Sequence, residues 1–215
     1  MPTTRRPITT KPRIRRDGAV VRAAILDAAE RRLIEAGPAA LRLQDVAADA
    51  GISHPNVLHH FGSREGLISA VIARSLDAMN RQLVEGISRS TGKADQLTAV
   101  LDSVFEVMSK AGHGRLIMWL SLAGHDISSG GVPLTDVVEA AHALRKTRTC
   151  STRRPSKQDT ANVVMLAAIA LTGATVHLPS LLRQLGQPVD EASSKRFRTW
   201  FSHLLLRHMD LDHDE

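Results

Sequence analysis

The stretch from Leu41 to Leu67, LRLQDVAADAGISHPNVLHHFGSREGL, decides how this end of the chain folds. It reads as two short amphipathic helices on either side of Gly51, followed by the start of a third helix. Gly51 can take the left-handed conformation that ends one helix, and Ser53 is a residue type that caps the next. This layout is typical of a helix-turn-helix, whose second helix fits the major groove of DNA.

The polar side chains of this stretch suit contacts with DNA. Asparagine can bond adenine through two hydrogen bonds, and histidine can bond base edges or phosphates. The candidates for reading base sequence are Arg42, Gln44, His54, Asn56 and His59. Ser53, His60 and Arg64 are the candidates for phosphate contacts, which position a protein without specifying sequence. An ordinary helical hairpin with a polar surface has the same spacing and remains the alternative.

A longer run, from Val21 to Val71, carries a recognisable pattern. Its defining residues are Ile25-Leu26-x-Ala28-Ala29, Gly37, Asp45-Val46-Ala47, Ala50-Gly51-Ile52-Ser53 and His60-Phe61-x-Ser63-Arg64-Glu65-x-Leu67. The pattern resembles the DNA-binding domain of the tetracycline-repressor (TetR) family, with matching spacing throughout. The resemblance implies an all-helical, homodimeric transcription factor that has a small-molecule pocket in the remainder of the chain.

The chain departs from that family pattern at three places. Leu58 stands where the family usually has a tyrosine that touches a phosphate, and this chain contains no tyrosine. Arg42 stands where a threonine often caps the second helix. Pro55-Asn56 replaces the Gly-Thr or Gly-Asn pair that commonly starts the recognition helix. These departures leave the expected fold intact, but an operator sequence cannot be transferred from the family.

Composition favours an all-α protein that works in a reducing compartment. The chain is 43% hydrophobic but only 3% aromatic, so its core consists mainly of Leu, Ile, Val and Ala. Apolar residues recur at helical spacing in about nine segments, and no alternating strand pattern is present. Cys150 is a lone cysteine, which excludes a disulfide within the chain. No apolar run follows the first basic residues, so we expect a cytoplasmic protein rather than a secreted one.

We predict four regions along the chain. They are a disordered basic arm at 1–16, a helix-turn-helix domain at 17–63, a helical ligand-binding and dimerisation domain at 64–210, and a tail at 211–215. The arm holds six cations and no acid, which equals the net charge of +6 of the whole chain. Such an arm can lie along phosphates or enter a minor groove, and it can equally be a solubilising tail. A second basic cluster reads as a solvated loop between helices: Arg145, Lys146, Arg148, Arg153, Arg154 and Lys157.

Two C-terminal helices carry more apolar surface than one protomer needs. A helix that is apolar on all sides must be buried on all sides, and a twofold partner can supply the second half of a four-helix bundle. The family resemblance implies the same arrangement, and a monomeric core is the alternative. The predicted dimer interface comprises Val164, Ala168, Leu171, Phe197, Trp200, Phe201, Leu204 and Leu205. We expect no membrane span, because polar residues between Asn162 and Pro179 interrupt the apolar run of about 18 residues that a span needs.

The middle helices are expected to hold any ligand site. Large, adaptable or aromatic side chains can line an apolar cavity, and histidines can orient a polar group of the ligand. The candidates are Phe105, Met108, Trp119, Leu122, His125, His142 and Met165. For each of them, an ordinary place in the core or on the surface is the alternative. Release from a palindromic operator by an apolar inducer rests on the resemblance, since nothing in the sequence separates a repressor from an activator.

The sequence carries no signature of an enzyme. It has no Gly-x-Ser-x-Gly elbow, phosphate-binding loop, dinucleotide glycine motif or zincin motif. His203, His208 and His213 recur every five residues, which turns them around a helix rather than gathering them on a metal. We therefore expect no catalytic residue, cofactor or metal. The rival to a specific regulator is a nonspecific or architectural DNA-binding protein without an inducer.

Overall fold

The computed structural model describes residues 17–91, 94–110, 112–124, 133–148, 155–209 and 211. Across these segments the chain forms nine α-helices and no strand, which confirms the predicted all-α fold. The helices are α1 (Gly18–Ala36), α2 (Leu43–Asp49), α3 (His54–Phe61), α4 (Arg64–Arg89), α5 (Ala94–Lys110), α6 (His113–Leu122), α7 (Leu134–Arg148), α8 (Lys157–Gln184) and α9 (Glu191–His208). The predicted basic arm at 1–16 lies outside the described residues.

Side-chain caps set the starts of the long helices. Ser63 precedes α4, and its hydroxyl accepts a hydrogen bond of 3.0 Å from the backbone N–H of Gly66, as its type and position predict. Asp190 caps α9 by accepting from the N–H of Ser193 at 2.7 Å, and this bonding lowers the pKa of the Asp190 carboxyl. Each cap satisfies an N–H group that has no partner within its helix.

The first core cluster joins the N-terminal helices to the rest of the chain. Val46 of α2 and Val57 of α3 are completely buried, and they belong to the same cluster as Leu67 and Ile68 of α4. The cluster continues into α5 and α6, where it includes Leu120. The opening turns of α4 are therefore part of the N-terminal core, and packing is continuous across the predicted boundary between residues 63 and 64.

The second core cluster lies among α5, α7, α8 and α9. Its buried members are Leu97, Ala141, Val163, Phe201, Leu205, Leu206, Met209 and Leu211. Leu211 is only 4% exposed, although the sequence placed it at the start of the tail. Residues 212–215 of that tail lie outside the described segments. Leu211 is thus a core residue, whose N–H donates to the carbonyl of Leu206 at 2.8 Å and whose side chain packs in the second core cluster.

A buried arginine joins α7, α8 and the end of α9. The guanidinium of Arg145 donates to the carboxylate of Asp159 and, at 3.2 Å, to the backbone carbonyl of His208. Hydrogen bonds from Arg145 and then from His208 lower the pKa of Asp159. Arg145 does not lie in a solvated loop, which corrects that part of the basic-cluster prediction. The middle of the cluster, including Arg153 and Arg154, lies outside the described residues.

Helix α8 is the long apolar helix that the sequence indicated. Pro179 lies inside it, and the helix continues to Gln184. Its most apolar 18-residue window has a mean hydropathy of 1.7, so α8 has the length and composition of a membrane span. The expectation that polar residues break this run was therefore wrong, because those residues are uncharged and lower the average only slightly. Only 22% of the window is buried within the protomer, so α8 leaves a large apolar surface uncovered.

Candidate DNA-binding surface

The turn between α2 and α3 has the predicted geometry. Gly51 has a φ of 65°, in the left-handed region that favours glycine. Its N–H donates to the carbonyl of Ala48 at 3.1 Å, and the N–H of Ile52 donates to the carbonyl of Ala47 at 3.0 Å. These two bonds form a Schellman motif, which ends α2 and turns the chain sharply into α3.

Helix α3 presents a polar side at its start and buries an apolar side. Val57 is completely buried, whereas Pro55, Asn56 and His59 are exposed. Ser53 occupies the position before the helix, but its hydroxyl accepts no capping hydrogen bond, which corrects the capping prediction. The Ser53 side chain is exposed at the start of α3. This leaves the first turn of α3 open to a ligand from outside, as a helix that enters a DNA groove requires.

One arginine fixes α2 to α1. The guanidinium of Arg32 forms two hydrogen bonds with Asp49, at 2.6 and 2.9 Å, and one with Asp45 at 3.4 Å. The hydrogen bond from Arg32 lowers the pKa of Asp49 and raises that of Arg32. Bidentate pairs of this kind fix orientation as well as distance. Arg32 therefore pairs with two carboxylates on α2, the helix that precedes α3.

A second arginine fixes α1 to α4. Arg74 donates to Asp27 and to Glu30, both at 2.6 Å. Glu30 also lies 3.3 Å from the Nε2 atom of His113, a buried residue at the start of α6, and that nitrogen is 3.3 Å from the Ser75 hydroxyl. The sequence pattern revealed neither these pairs nor those of Arg32. The partners lie far apart in the chain, and no local signal links them.

Arg64, predicted to contact phosphate, has a different place in the structure. Its Nε atom donates to the carbonyl of Leu41 at 3.0 Å, one terminal nitrogen donates to the carbonyl of Pro38, and the other pairs with Glu65 at 3.2 Å. The guanidinium also lies 5.9 Å from the ring centroid of Trp119. Because these donors bond groups inside the protein, Arg64 joins the segment before α2 to α4. We therefore remove Arg64 from the residues assigned to DNA contacts.

Replacing Arg64 by alanine tests this internal role. We expect Arg64→Ala to lower the free energy of unfolding by about 2 kcal/mol, because charged hydrogen bonds to two carbonyls are lost from a partly exposed site. The slope of log affinity against log salt for DNA binding should be unchanged, whereas losing a phosphate contact reduces it by about one unit. Chemical denaturation and DNA titrations at several salt concentrations give both quantities.

Arg42→Ala is the matched control for that experiment. Arg42 is exposed, and its side chain makes no hydrogen bond or ion pair with any described residue. Its removal should change unfolding by less than about 0.5 kcal/mol, yet weaken DNA binding. A reduced salt slope in Arg64→Ala at unchanged stability would restore the phosphate assignment and contradict the internal one.

The other predicted DNA contacts lie on α2 and α3. Arg42 and Gln44 are at the start of α2, Ser53, His54 and Asn56 are at the start of α3, and His59 and His60 are in its last turn. Among the described residues, the side chains of Gln44, His54 and Asn56 have no hydrogen-bond partner. His59 and His60 contact each other edge to face, with ring centroids 5.6 Å apart. Helices α2 and α3 thus carry polar side chains that make no hydrogen bond with the described residues, and the ion pairs of Arg32 hold α2 to α1.

Sequence reasoning missed one exposed cation beside α3. Arg22 of α1 lies over the ring of Phe61, with its guanidinium carbon 4.5 Å from the ring centroid. This contact holds a positive charge near the end of α3. Arg22 and Phe61 are far apart in the chain, so no motif could have indicated the pair.

The body of the protein contains an apolar cavity of about 120 Å³ between α4, α5, α7, α8 and α9. Its wall includes Met79, Asn80, Leu83, Ile87, Leu97, Val100, Leu101, Val104, Leu134, Val137, Ala141, Leu144, Val163, Val164, Ala167, Ala168, Leu171, Leu205, Leu206, Met209 and Leu211. Asn80 is the only polar side chain among these. The cavity wall is therefore almost entirely hydrocarbon.

None of the predicted ligand residues that the structure describes lines this cavity. Phe105 and Met108 are buried in the first core cluster, and Trp119 packs against it. His142 lies 3.2 Å from the Thr160 hydroxyl. Leu122 and Met165 are exposed on the surface, and His125 lies outside the described residues. The predicted cavity lining is corrected, because helical spacing does not reveal which core positions leave space between them.

The predicted dimer residues divide into two groups. Leu171, Phe201 and Leu205 are buried within the protomer, so they are core residues and cannot form an interface. Val164 and Phe197 are partly buried, whereas Ala168, Trp200 and Leu204 are exposed. The exposed apolar face of α8 instead comprises Met165, Leu166, Ile169 and Val176, which recur at helical spacing. This face was missed because a helix that is apolar all round does not show which side its own core covers.

Comparisons with known proteins agree with this geometry. A family model described as bacterial regulatory proteins, tetR family, matches residues 25–71. The HTH-type transcriptional repressor Rv3405c of Mycobacterium tuberculosis is 31% identical over 142 residues, or 66% of this chain and 68% of that protein. A TetR-family regulator from Pectobacterium atrosepticum has a TM-score of 0.64 at 20% identity, covering 92% of this chain and 97% of its own. The structure of BioQ with its double-stranded DNA operator has a TM-score of 0.56 at 18% identity, covering 87% and 96%.

Proposed function

The chain belongs to the tetR family of bacterial regulatory proteins and is a DNA-binding transcriptional regulator, and we propose that it acts as a homodimeric repressor. It binds a palindromic operator in the cytoplasm and leaves it when a small apolar molecule enters the helical body. The repressor assignment is supported by the Mycobacterium tuberculosis relative, which is named as a repressor.

The DNA-binding part of the proposal rests on the polar side chains of α2 and α3 that make no hydrogen bond with the described residues. We assign base reading to Arg42, Gln44, His54, Asn56 and His59, whose side chains point away from the core or lie at its edge. Phosphate contacts fall to Ser53 and His60, with Arg22 as an addition from the structure. The ion pairs of Arg32 and Arg74 fix α2 and α4 to α1, and α3 packs against α2 and α4. A helix held on such a rigid support selects among base sequences better than a mobile one.

The proposal of a homodimer rests on the exposed apolar face of α8. Leu166 and Ile169 of α8, and Trp200 and Leu204 of α9, are large apolar side chains that the protomer leaves uncovered. A second copy that packs its own α8 and α9 against them forms a four-helix bundle and buries both sets. A twofold dimer places two α3 helices about 34–36 Å apart, or at a related spacing, which matches successive major grooves.

Helix α4 connects the cavity to the DNA-binding end. Leu67 and Ile68 at its start are buried in the N-terminal core, whereas Met79 and Leu83 in its second half line the cavity. A ligand that binds more tightly when α4 has one placement than when it has another shifts the protein toward the first. Because α4 is joined to the N-terminal core, this shift changes the distance between the two α3 helices of the dimer. Ligand binding and operator binding then oppose each other, and by thermodynamic linkage each weakens the other equally.

Selection of bound duplexes from a random DNA pool tests the proposed function. We expect the purified protein to enrich one palindrome, because two identical reading heads related by a twofold axis require a twofold site. Competition with unrelated DNA at fixed salt measures the specificity ratio. Equal binding to all duplexes by folded, dimeric protein would overturn the proposal in favour of the nonspecific or architectural alternative.

A further inference from the structure

We infer that the effector is an uncharged, apolar molecule about the size of a single aromatic ring, and that it binds between α4, α5, α7, α8 and α9. This inference rests on the proposed function, since it specifies the ligand of that same regulator. It differs from the sequence-based expectation in its contacts, because no described residue of α6 lines the cavity.

The wall excludes a charged ligand. No Lys, Arg, Asp, Glu or His occurs among the described residues that line the cavity, and the wall is almost wholly apolar. A charge moved from water into such surroundings without a partner is strongly disfavoured. An ionised ligand would need a counter-charge, and the described wall provides none.

The cavity volume limits the size of the ligand. It measures about 120 Å³. Apolar cavities near 150 Å³ stay dry in proteins and bind benzene or xenon. A slightly smaller cavity therefore suits one ring with little substitution, whereas a fused ring system requires the helices to separate.

Asn80 provides one position for a polar group. It lies on α4, is 8% exposed and is the single polar side chain of the described wall. The oxygen of a side-chain amide has two acceptor sites, so the Asn80 Oδ1 atom can accept a hydrogen bond from a ligand hydroxyl. A ring with one hydroxyl should therefore bind better than the unsubstituted ring, by about threefold to tenfold, the value of one neutral hydrogen bond.

Phenol, benzene and benzoate added to the full-length protein test the inference. Methyl resonances of 13C-labelled methionines report the site directly, because Met79 and Met209 line the cavity and Met165 is exposed on α8. We expect phenol and benzene to shift the Met79 and Met209 signals in a saturable way and to leave Met165 unchanged. Benzoate at the same concentration should shift none of them. Shifts caused equally by benzoate, or shifts confined to Met165, would overturn the inference.

Two alanines on α7 supply a matched pair of variants. Ala141 is buried in the cavity wall, whereas Ala143 is exposed on the same helix. Ala141→Leu fills part of the space and should weaken phenol binding by about tenfold or more. Ala143→Leu should bind phenol as the unmodified protein does. Equal phenol affinity in both variants would place the binding site elsewhere.

Asn80→Leu distinguishes the contribution of the Asn80 hydrogen bond from that of the apolar cavity. This variant should bind benzene with unchanged affinity and lose the preference for phenol. A preference that survives in Asn80→Leu would remove Asn80 from the recognition of the hydroxyl.

DNA selection without any added probe keeps the two proposals distinct. A protein that enriches a palindrome but shows no cavity shifts would retain the DNA-binding proposal and overturn the ligand class. A protein that shows the cavity shifts but prefers no duplex would retain the ligand class and overturn the proposed function.

Discussion

Leu166→Glu combined with Ile169→Glu is expected to convert the protein to a monomer and to weaken operator binding by at least about a hundredfold, or about 2.7 kcal/mol. Leu166 and Ile169 are 50% and 65% exposed on α8 in the protomer, so the substitutions should not disturb its core. In a dimer they place four carboxylates in an apolar interface, where unpaired charges are strongly disfavoured. Sedimentation gives the association state, and fluorescence anisotropy gives the affinity for the selected duplex.

Leu122→Glu is the matched control for the dimer variant. Leu122 is 86% exposed at the end of α6, outside the apolar face of α8, so the same change of residue should leave a dimer with normal DNA affinity. The interface residue Leu205 predicted from sequence is unsuitable, because its burial means that a charge there would unfold the protomer. A double variant that remains dimeric would contradict the α8 interface. Binding of the unmodified protein to lipid vesicles as a monomer would also contradict the α8 interface.

Asn56→Ala is expected to weaken binding to the selected operator by about 1–3 kcal/mol, roughly tenfold to a hundredfold, and to relax the preference at one base pair in each half-site. Asn56 is exposed in the first turn of α3, and its side-chain amide makes no hydrogen bond with any described residue. Its amide is therefore available to bond adenine through two hydrogen bonds. Affinities for the selected duplex and for duplexes changed at each position measure both effects.

Gln187→Ala controls for loss of an exposed amide in general. Gln187 lies between α8 and α9, away from the DNA-binding surface, so its removal should alter neither affinity nor base preference. If Asn56→Ala weakens binding to every duplex by the same factor, Asn56 positions the protein on the backbone and does not read a base.

The local features of the N-terminal domain could be predicted from the sequence. The start of α4 at Ser63 and the turn at Gly51 follow from caps, glycine and apolar spacing within a few residues. The capping prediction for Ser53 was wrong, since the choice between bonding an amide and facing solvent depends on the orientation of one hydroxyl. Residue type indicates that a cap is available and does not determine whether it forms.

The role of each charged residue required the structure. Arg64 matches a family motif, but its partners are carbonyls 23 and 26 residues away. Arg145 belongs to a basic cluster in the sequence, yet it is buried against Asp159 of the next helix. Charge at a position can be read from the sequence, whereas the partner of that charge depends on how helices are placed side by side.

The helices and the turn that exposes α3 were determined by the sequence alone, because helical periodicity and capping act over a few neighbouring residues. Tertiary structure decided which apolar face of α8 is covered and where the cavity lies, at Asn80 and Ala141 rather than at the predicted aromatic residues. The physical reason is that Leu171 and Ile169 have the same apolar character and lie on the same helix, yet one is buried and the other exposed. Only the packing of neighbouring helices distinguishes them.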